Sequence, residues 1–224
     1  MFWSEKILNF FSELTIGCPL PKDVEVLHPY QDIQVFNLCK QFYQQYYSDT
    51  KQRQLIIGIN PGRLGGGLTG IPFTDTHKLE TYCNIANTLK KKSELSADFV
   101  YRVIVAYGGP KEFFSRFYFS SVSPLGFTKD GKNLNYYDIP DLQSKLKPFI
   151  IGCLERQLRF GLNRDKCFVL GEGKNFAYLE KLNAELRIFK QLVPLPHPRF
   201  IMQYKRKQVE DYVGRYILEL GAIE

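Results

Sequence analysis

Asn60, Phe73 and Asp75 stand among six glycines and two prolines in the nineteen residues from Ile57 to Asp75. Glycine loses more conformational freedom on folding than any other residue, so a loop of this composition needs a reason. An amide, an aromatic ring and a carboxylate on an otherwise bare backbone suit a small flat ligand. His197 is a second candidate, in the sequence PLPHPRF from Pro194 to Phe200. Its three prolines fix the backbone, which holds an imidazole in place at low entropic cost. His28-Pro29 is the same dipeptide without a preceding strand, and reads as structural. Arg199, Lys205, Arg206 and Lys207 make a basic cluster directly after the histidine, suited to phosphates or to an ordinary solvated helix face.

These groups need elements to hold them. Trp3, Ile7, Phe10, Phe11 and Leu14 recur at helical spacing, and Gly17 closes that helix. A second helix is expected over about 32–47, then a buried strand over 54–59 that feeds the glycine-rich loop. Helices follow over 76–92, ending in the basic run Lys90-Lys91-Lys92, and over 111–117 behind Pro110. Further strands are expected over 118–122, 167–170 and 187–193, and helices over 141–160, 175–186 and 204–220. Strands alternating with helices predict a three-layer α/β/α sandwich around a mostly parallel four-stranded sheet. Ligands of such sheets bind beyond the carboxyl ends of the strands. Three loops leave strand ends, at 60–75, 123–137 and 194–203, and the site is expected where they converge.

The chain's 224 residues, 44% of them hydrophobic, suit a single globular domain over 1–224 with an N-terminal helical extension over 1–30. Thirty Lys and Arg over 23 Asp and Glu give a charge of +7, which permits a polyanionic partner. Cys18, Cys39, Cys83, Cys153 and Cys167 are odd in number and scattered. That pattern predicts a reduced compartment, with no disulfide framework and no zinc or iron–sulfur cage. No signal peptide and no apolar run of membrane length is visible, so a soluble cytoplasmic protein is expected, nucleoid-associated if bacterial and nuclear if eukaryotic. The nucleoside triphosphatase loop is absent. LGEGKNF, Leu170 to Phe176, fails as a dinucleotide fingerprint because Phe176 replaces the third glycine. His28, His77 and His197 form no metal-binding pattern, so neither metal nor other cofactor is expected.

Taken together, the motifs resemble those of the single-strand-selective monofunctional uracil-DNA glycosylases. GINPGRLGGGLTGIPF, from Gly58 to Phe73, resembles that family's first signature, G-M-N-P-G-x-x-G-x-x-x-T-G-V-P-F. YGGPKEFFSRFYFSSVSPLGF is similar to its G-x-P-x-x-F-F segment and Pro-Leu loop. GKNLNYYDIP resembles G-R-N-L-T-P-x-E-L-P, and LPHPR the histidine motif. Order and spacing agree from about residue 32 to 220. The histidine motif is two residues shorter than the usual H-P-S-P-R, Thr74-Asp75 replaces Gly-Glu, and the loop carries an extra Gly-Gly, which marks a divergent branch.

The resemblance implies a monomeric glycosylase that hydrolyses the bond between deoxyribose and a uracil, or related deaminated base, flipped out of DNA. It implies a base pocket lined by Gly58, Gly62 and the 65–67 glycine run, with Phe73 stacking on the base and Asn133 reading its edge. His197 would stabilise the departing base anion and Asn60 would orient the attacking water. Asp75 is either the general base or the cap of the helix that follows it. Arg199 suits a wedge that enters the duplex gap, with Lys205, Arg206 and Lys207 on phosphates. A catalytically inactive nucleic-acid-binding module of the same fold, and a hydrolase of free nucleosides or nucleotides, are the alternatives.

Overall fold

The computed structural model describes residues 1–221. Helix α1 spans Trp3–Ser12 and strand β1 is the short Glu25–Leu27. Helix α2 (Ile33–Tyr46) starts where the Asp32 side chain accepts from the Gln34 and Val35 N–H groups, satisfying donors that a first turn leaves free. Strand β2 (Arg53–Gly58) runs into the glycine-rich loop, which holds the single-turn helix α3 (Gly66–Thr69) and ends at helix α4 (Thr76–Cys83). Helices α5 (Leu95–Ala106) and α6 (Pro110–Arg116) precede strand β3 (Phe117–Ser121). Strands β4 (Gly126–Lys129) and β5 (Lys132–Leu134) form a hairpin. Its two turn residues, Asp130 and Gly131, are both left-handed, at φ 50° and 68°, as tight hairpins require. Helix α7 (Pro140–Leu158), strand β6 (Leu162–Leu170), helix α8 (Lys174–Leu186) and strand β7 (Gln191–Leu195) follow. Helices α9 (Pro198–Tyr204) and α10 (Val209–Leu220) close the chain.

The main sheet has four strands in the order β3-β2-β6-β7, and every pairing is parallel. The period-two alternation of β3 shows helices on both faces. Tyr118 points to one face, where its ring meets Trp3 of α1 and Phe160. Phe117 and Phe119 point to the other, against Phe113 of α6. The three-layer expectation holds.

Several boundaries differ. Asn84, left-handed at φ 55°, ends α4 at Cys83, so Lys90 to Lys92 lie beyond it and complement no helix dipole. The helix expected over 204–220 is broken by a 3-10 turn at Arg206–Gln208. Strand β6 begins five residues before the expected Cys167, through the exposed polar stretch Arg164 to Lys166. Helix α5 and a second sheet, antiparallel in the order β1-β4-β5, were not anticipated. The first thirty residues are more than an extension: Trp3 is fully buried in the core and β1 pairs with β4.

Candidate active site

A cavity of about 480 Å3 opens at the carboxyl ends of the parallel strands, the place such a sheet makes available. Asn60, Gly62 and Phe73 enter from the loop after β2, and Asn133, Asn135 and Tyr137 from β5 and the segment after it. His197, Arg199, Phe200, Gln203 and Tyr204 enter from α9 and the residue before it. The three expected loops converge. A fourth joins them: Gly171, Gly173, Lys174 and Asn175, from the segment dismissed as a failed dinucleotide fingerprint. Its glycines do face a site, though not a dinucleotide's.

Asn60 is locked. Its Nδ2 donates to the Leu134 carbonyl at 3.1 Å and its Oδ1 accepts from the Tyr136 N–H at 2.9 Å. The Tyr136 hydroxyl donates to Asn175 Oδ1 at 3.0 Å, and Asn175 Nδ2 donates to the Leu170 carbonyl at 3.1 Å. One hydrogen-bonded chain therefore fixes the loops after β2, β5 and β6 against each other. Each amide oxygen has two lone pairs, so Asn60 Oδ1 keeps one for a water.

His197 has its tautomer set by the backbone. Its Nδ1 accepts from the Arg199 N–H at 3.1 Å, so the proton of the neutral ring sits on Nε2. Burial, then the nearby Arg199 guanidinium, push its pKa down to about 4. The imidazole is neutral at pH 7 and a donor at Nε2. Gly171, at φ 108°, lies beside it: a Cβ there would stand 3.8 Å from His197 Cδ2.

Asn133 sits on β5 and its Oδ1 accepts from the Arg63 N–H at 3.1 Å, which leaves Nδ2 for the cavity. Phe73 is left-handed at φ 54°, a strained backbone for a bulky residue. Its ring lies against Phe119, centroids 5.3 Å apart, with part of it facing the cavity.

The glycines do something other than expected. Gly58 does not line the cavity; a Cβ there would stand 2.7 Å from Phe73 Cζ, so Gly58 makes room for the ring. The 65–67 run does not line it either. A Cβ on Gly65 would run into the Glu94 carboxyl, and one on Gly67 would stand 2.7 Å from the Gly62 carbonyl oxygen. Of the expected backbone pocket, Gly62 alone faces the cavity. The loop is bare chiefly to admit the protein's own groups.

Of the two roles open to Asp75, general base or helix cap, the geometry supports the cap. It is fully buried and does not line the cavity. Its Oδ1 accepts from the His77 and Lys78 N–H groups, and its Oδ2 from the Glu94 N–H at 2.9 Å. Three N–H donors engage it, and its burial away from the cavity keeps it from a water held there. The acid in the cavity wall is Glu94, which the sequence reading missed because it precedes a helix that was itself missed. Burial, then the charge of Asp75, push the Glu94 carboxyl up to about 7, partly opposed by Arg199.

At the rim, Arg199 is exposed beside Phe200 and Tyr204, 44% and 72% exposed, with ring centroids 5.5 Å apart. That aromatic pair was also missed, although Phe200 and Tyr204 are four apart, one helix face. Lys205, Arg206 and Lys207 lie beyond the rim and do not line the cavity; none takes part in an ion pair among the described residues. Among those residues no three His, Cys, Asp or Glu side chains gather as metal ligands would, and no helix is long and apolar enough to cross a membrane.

The model of the uracil DNA glycosylase superfamily matches residues 44–221. The crystal structure of SMUG2 from Pedobacter heparinus is similar to this chain with a TM-score of 0.95 and 43% sequence identity. The match covers 98% of this chain and 97% of that one. Fold, cavity and motif order agree with both findings: the chain belongs to the uracil DNA glycosylase superfamily, in a SMUG-type branch.

Proposed function

We propose that this uracil-DNA glycosylase of base excision repair is monofunctional, hydrolysing the N-glycosidic bond of a flipped uracil-type base and leaving an abasic site. The observation that carries the mechanism is the neutral His197, Nε2–H free, in the same cavity as the locked amide of Asn60.

A base inside a duplex is out of reach and must leave the stack, at a cost of roughly a few kcal/mol. Phe200, Tyr204 and Arg199 at the rim suit what remains behind, since exposed rings stack on bases of any sequence. In the cavity the base lies on Phe73, and Asn133 Nδ2 donates to one of its carbonyls. As the glycosidic bond breaks, the sugar takes on oxocarbenium character and the base becomes an anion. His197 Nε2–H donates to the oxygen that gathers this charge. A fixed donor aimed at developing charge is worth about 3–4 kcal/mol where it has been measured. Asn60 Oδ1 holds the water that captures the sugar, and the proton this water gives up ends on the departing base anion, which leaves as the neutral base. An amide is no base near neutral pH, so Asn60 works by placement. The phosphates run past Lys205, Arg206 and Lys207.

The test is incubation with oligonucleotides carrying uracil, hydroxymethyluracil, hypoxanthine or xanthine, as single strands and duplexes. Base release with an intact abasic strand, persisting in EDTA and trapping no imine with borohydride, is expected. Release from free deoxyuridine but not from oligonucleotides would overturn the reading.

A further inference from the structure

Among the described residues Glu94 supplies the only carboxyl in the cavity wall, and the steps above leave it unused. Its seat is built by absence. Gly65 has no Cβ where the carboxyl lies, and Gly62 has none beside it. Its backbone is pinned to the buried Asp75, yet no hydrogen bond among the described residues reaches its side-chain oxygens. Half-buried in the wall and with its side-chain oxygens open to the cavity, the carboxyl is placed to meet whatever enters.

The position of the missing Gly62 Cβ shows which part of the ligand. Asn133 Nδ2 is 3.2 Å from that point and Glu94 Oε1 is 3.5 Å from it. The two groups thus flank one point over Gly62, where a base carbonyl that takes a hydrogen bond from Asn133 Nδ2 can also meet Glu94. We propose that Glu94 is a further specificity-determining residue, its carboxyl sharing with the Asn133 amide the recognition of one carbonyl of the flipped base. This rests on the glycosylase reading above.

A carbonyl oxygen has two lone pairs, one for each donor, and a carboxyl donates only while it keeps its proton. The surroundings favour the proton. Burial acts first, Asp75 at the start of α4 and Asp98 on α5 add negative charge, and Arg199 at α9 opposes them. Lys78 is engaged by Asp98 at 2.6 Å and lies 4.0 Å from Asp75, while His197 is neutral at pH 7. The carboxyl consequently titrates at about 7. Protonated, Glu94 favours bases with a carbonyl at that edge, such as uracil. Ionised, it only accepts, and favours the amino group of cytosine.

Free uracil and free cytosine, titrated by calorimetry between pH 6 and 8, test this in the wild type, Glu94→Gln and Glu94→Ala, with base release from a uracil oligonucleotide measured in parallel. Wild-type uracil affinity should fall several-fold, up to about tenfold, from pH 6 to 8, as one hydrogen bond of about 1 kcal/mol gives way to an acceptor facing an acceptor. Glu94→Gln keeps a donor and should bind uracil equally across that range. Glu94→Ala should bind it more weakly at every pH. A wild-type slope retained in Glu94→Gln, or variants indistinguishable from wild type, would overturn the proposal. Glu94-dependent uracil binding without release from DNA would sink the glycosylase reading and leave the proposal standing. Absence of uracil binding in all three proteins would overturn the proposal as well.

Discussion

Asp75 and Glu94, joined by the Glu94 backbone N–H donating to the Asp75 carboxylate, put their two carboxyls to different uses. Three N–H groups converge on Asp75, and the third belongs to Glu94 itself. Asparagine caps a helix about as well as aspartate, but its amide nitrogen cannot accept the Glu94 N–H. Asp75→Asn should therefore destabilise the fold by about 1–3 kcal/mol, the cost of an unpaired buried donor, and leave uracil release in place. Urea denaturation and single-turnover release would check the two halves; a variant that folds normally but releases no base returns Asp75 to catalysis. His197 makes a second prediction. Its pKa is about 4 in the folded protein against 6.5 for the free group. The unfolded chain then binds a proton that the native state refuses, so stability is complete above pH 6.5 and falls as pH drops toward 4. Denaturation midpoints should decline more for the wild type than for His197→Gln over that window, and parallel declines would show that the imidazole is not held neutral by its site.

Among the elements, legibility followed the strength of the local signal. Helix α2 announced itself by an amphipathic run with Val35, Phe36, Cys39 and Phe42 on one face, and β2 by continuous apolar residues before glycines. Its loop and the PLPHPRF segment were legible as site-forming because Asn60, Phe73 and His197 are chemically out of place in plain turns. Helix α5 was missed although seven of its twelve residues are buried. The small β1-β4-β5 sheet pairs residues about a hundred apart, such as Val26 with Phe127, and no short window reports that. The glycines were read correctly as a demand for close approach, but what approaches at Gly58 and Gly65 are the Phe73 ring and the Glu94 carboxyl. The basic turn Arg206–Gln208 keeps its expected test. If Lys205 and Lys207 each meet a phosphate, replacing either with Ala should lower the salt slope of DNA affinity by about one. An unchanged slope would make this turn ordinary solvated surface.

At the scale of the whole molecule, the parallel sheet sends its strand ends to one side, and the cavity lies there. Part of what holds the fold lies around the amino end of β2. Arg53, fully buried, donates to both carboxylate oxygens of Asp49 at 2.8 and 2.9 Å and to the Phe114 carbonyl. Its guanidinium lies 5.2 Å from the Trp3 ring and 4.7 Å from that of Tyr47. Trp3 in turn donates from Nε1 to the Lys51 carbonyl and packs edge-on against Phe160. It is the only tryptophan of the chain, fully buried, and outside the cavity lining. The protein thus carries a single indole fluorophore placed to watch its folding and not its ligand. Excited selectively over the fourteen tyrosines, its emission should be blue-shifted in the native state, stay constant as oligonucleotide is added, and move to the red in one step as denaturant unfolds the chain. A shift on binding DNA would mean instead that filling the cavity is felt at the packing of α1 against the sheet.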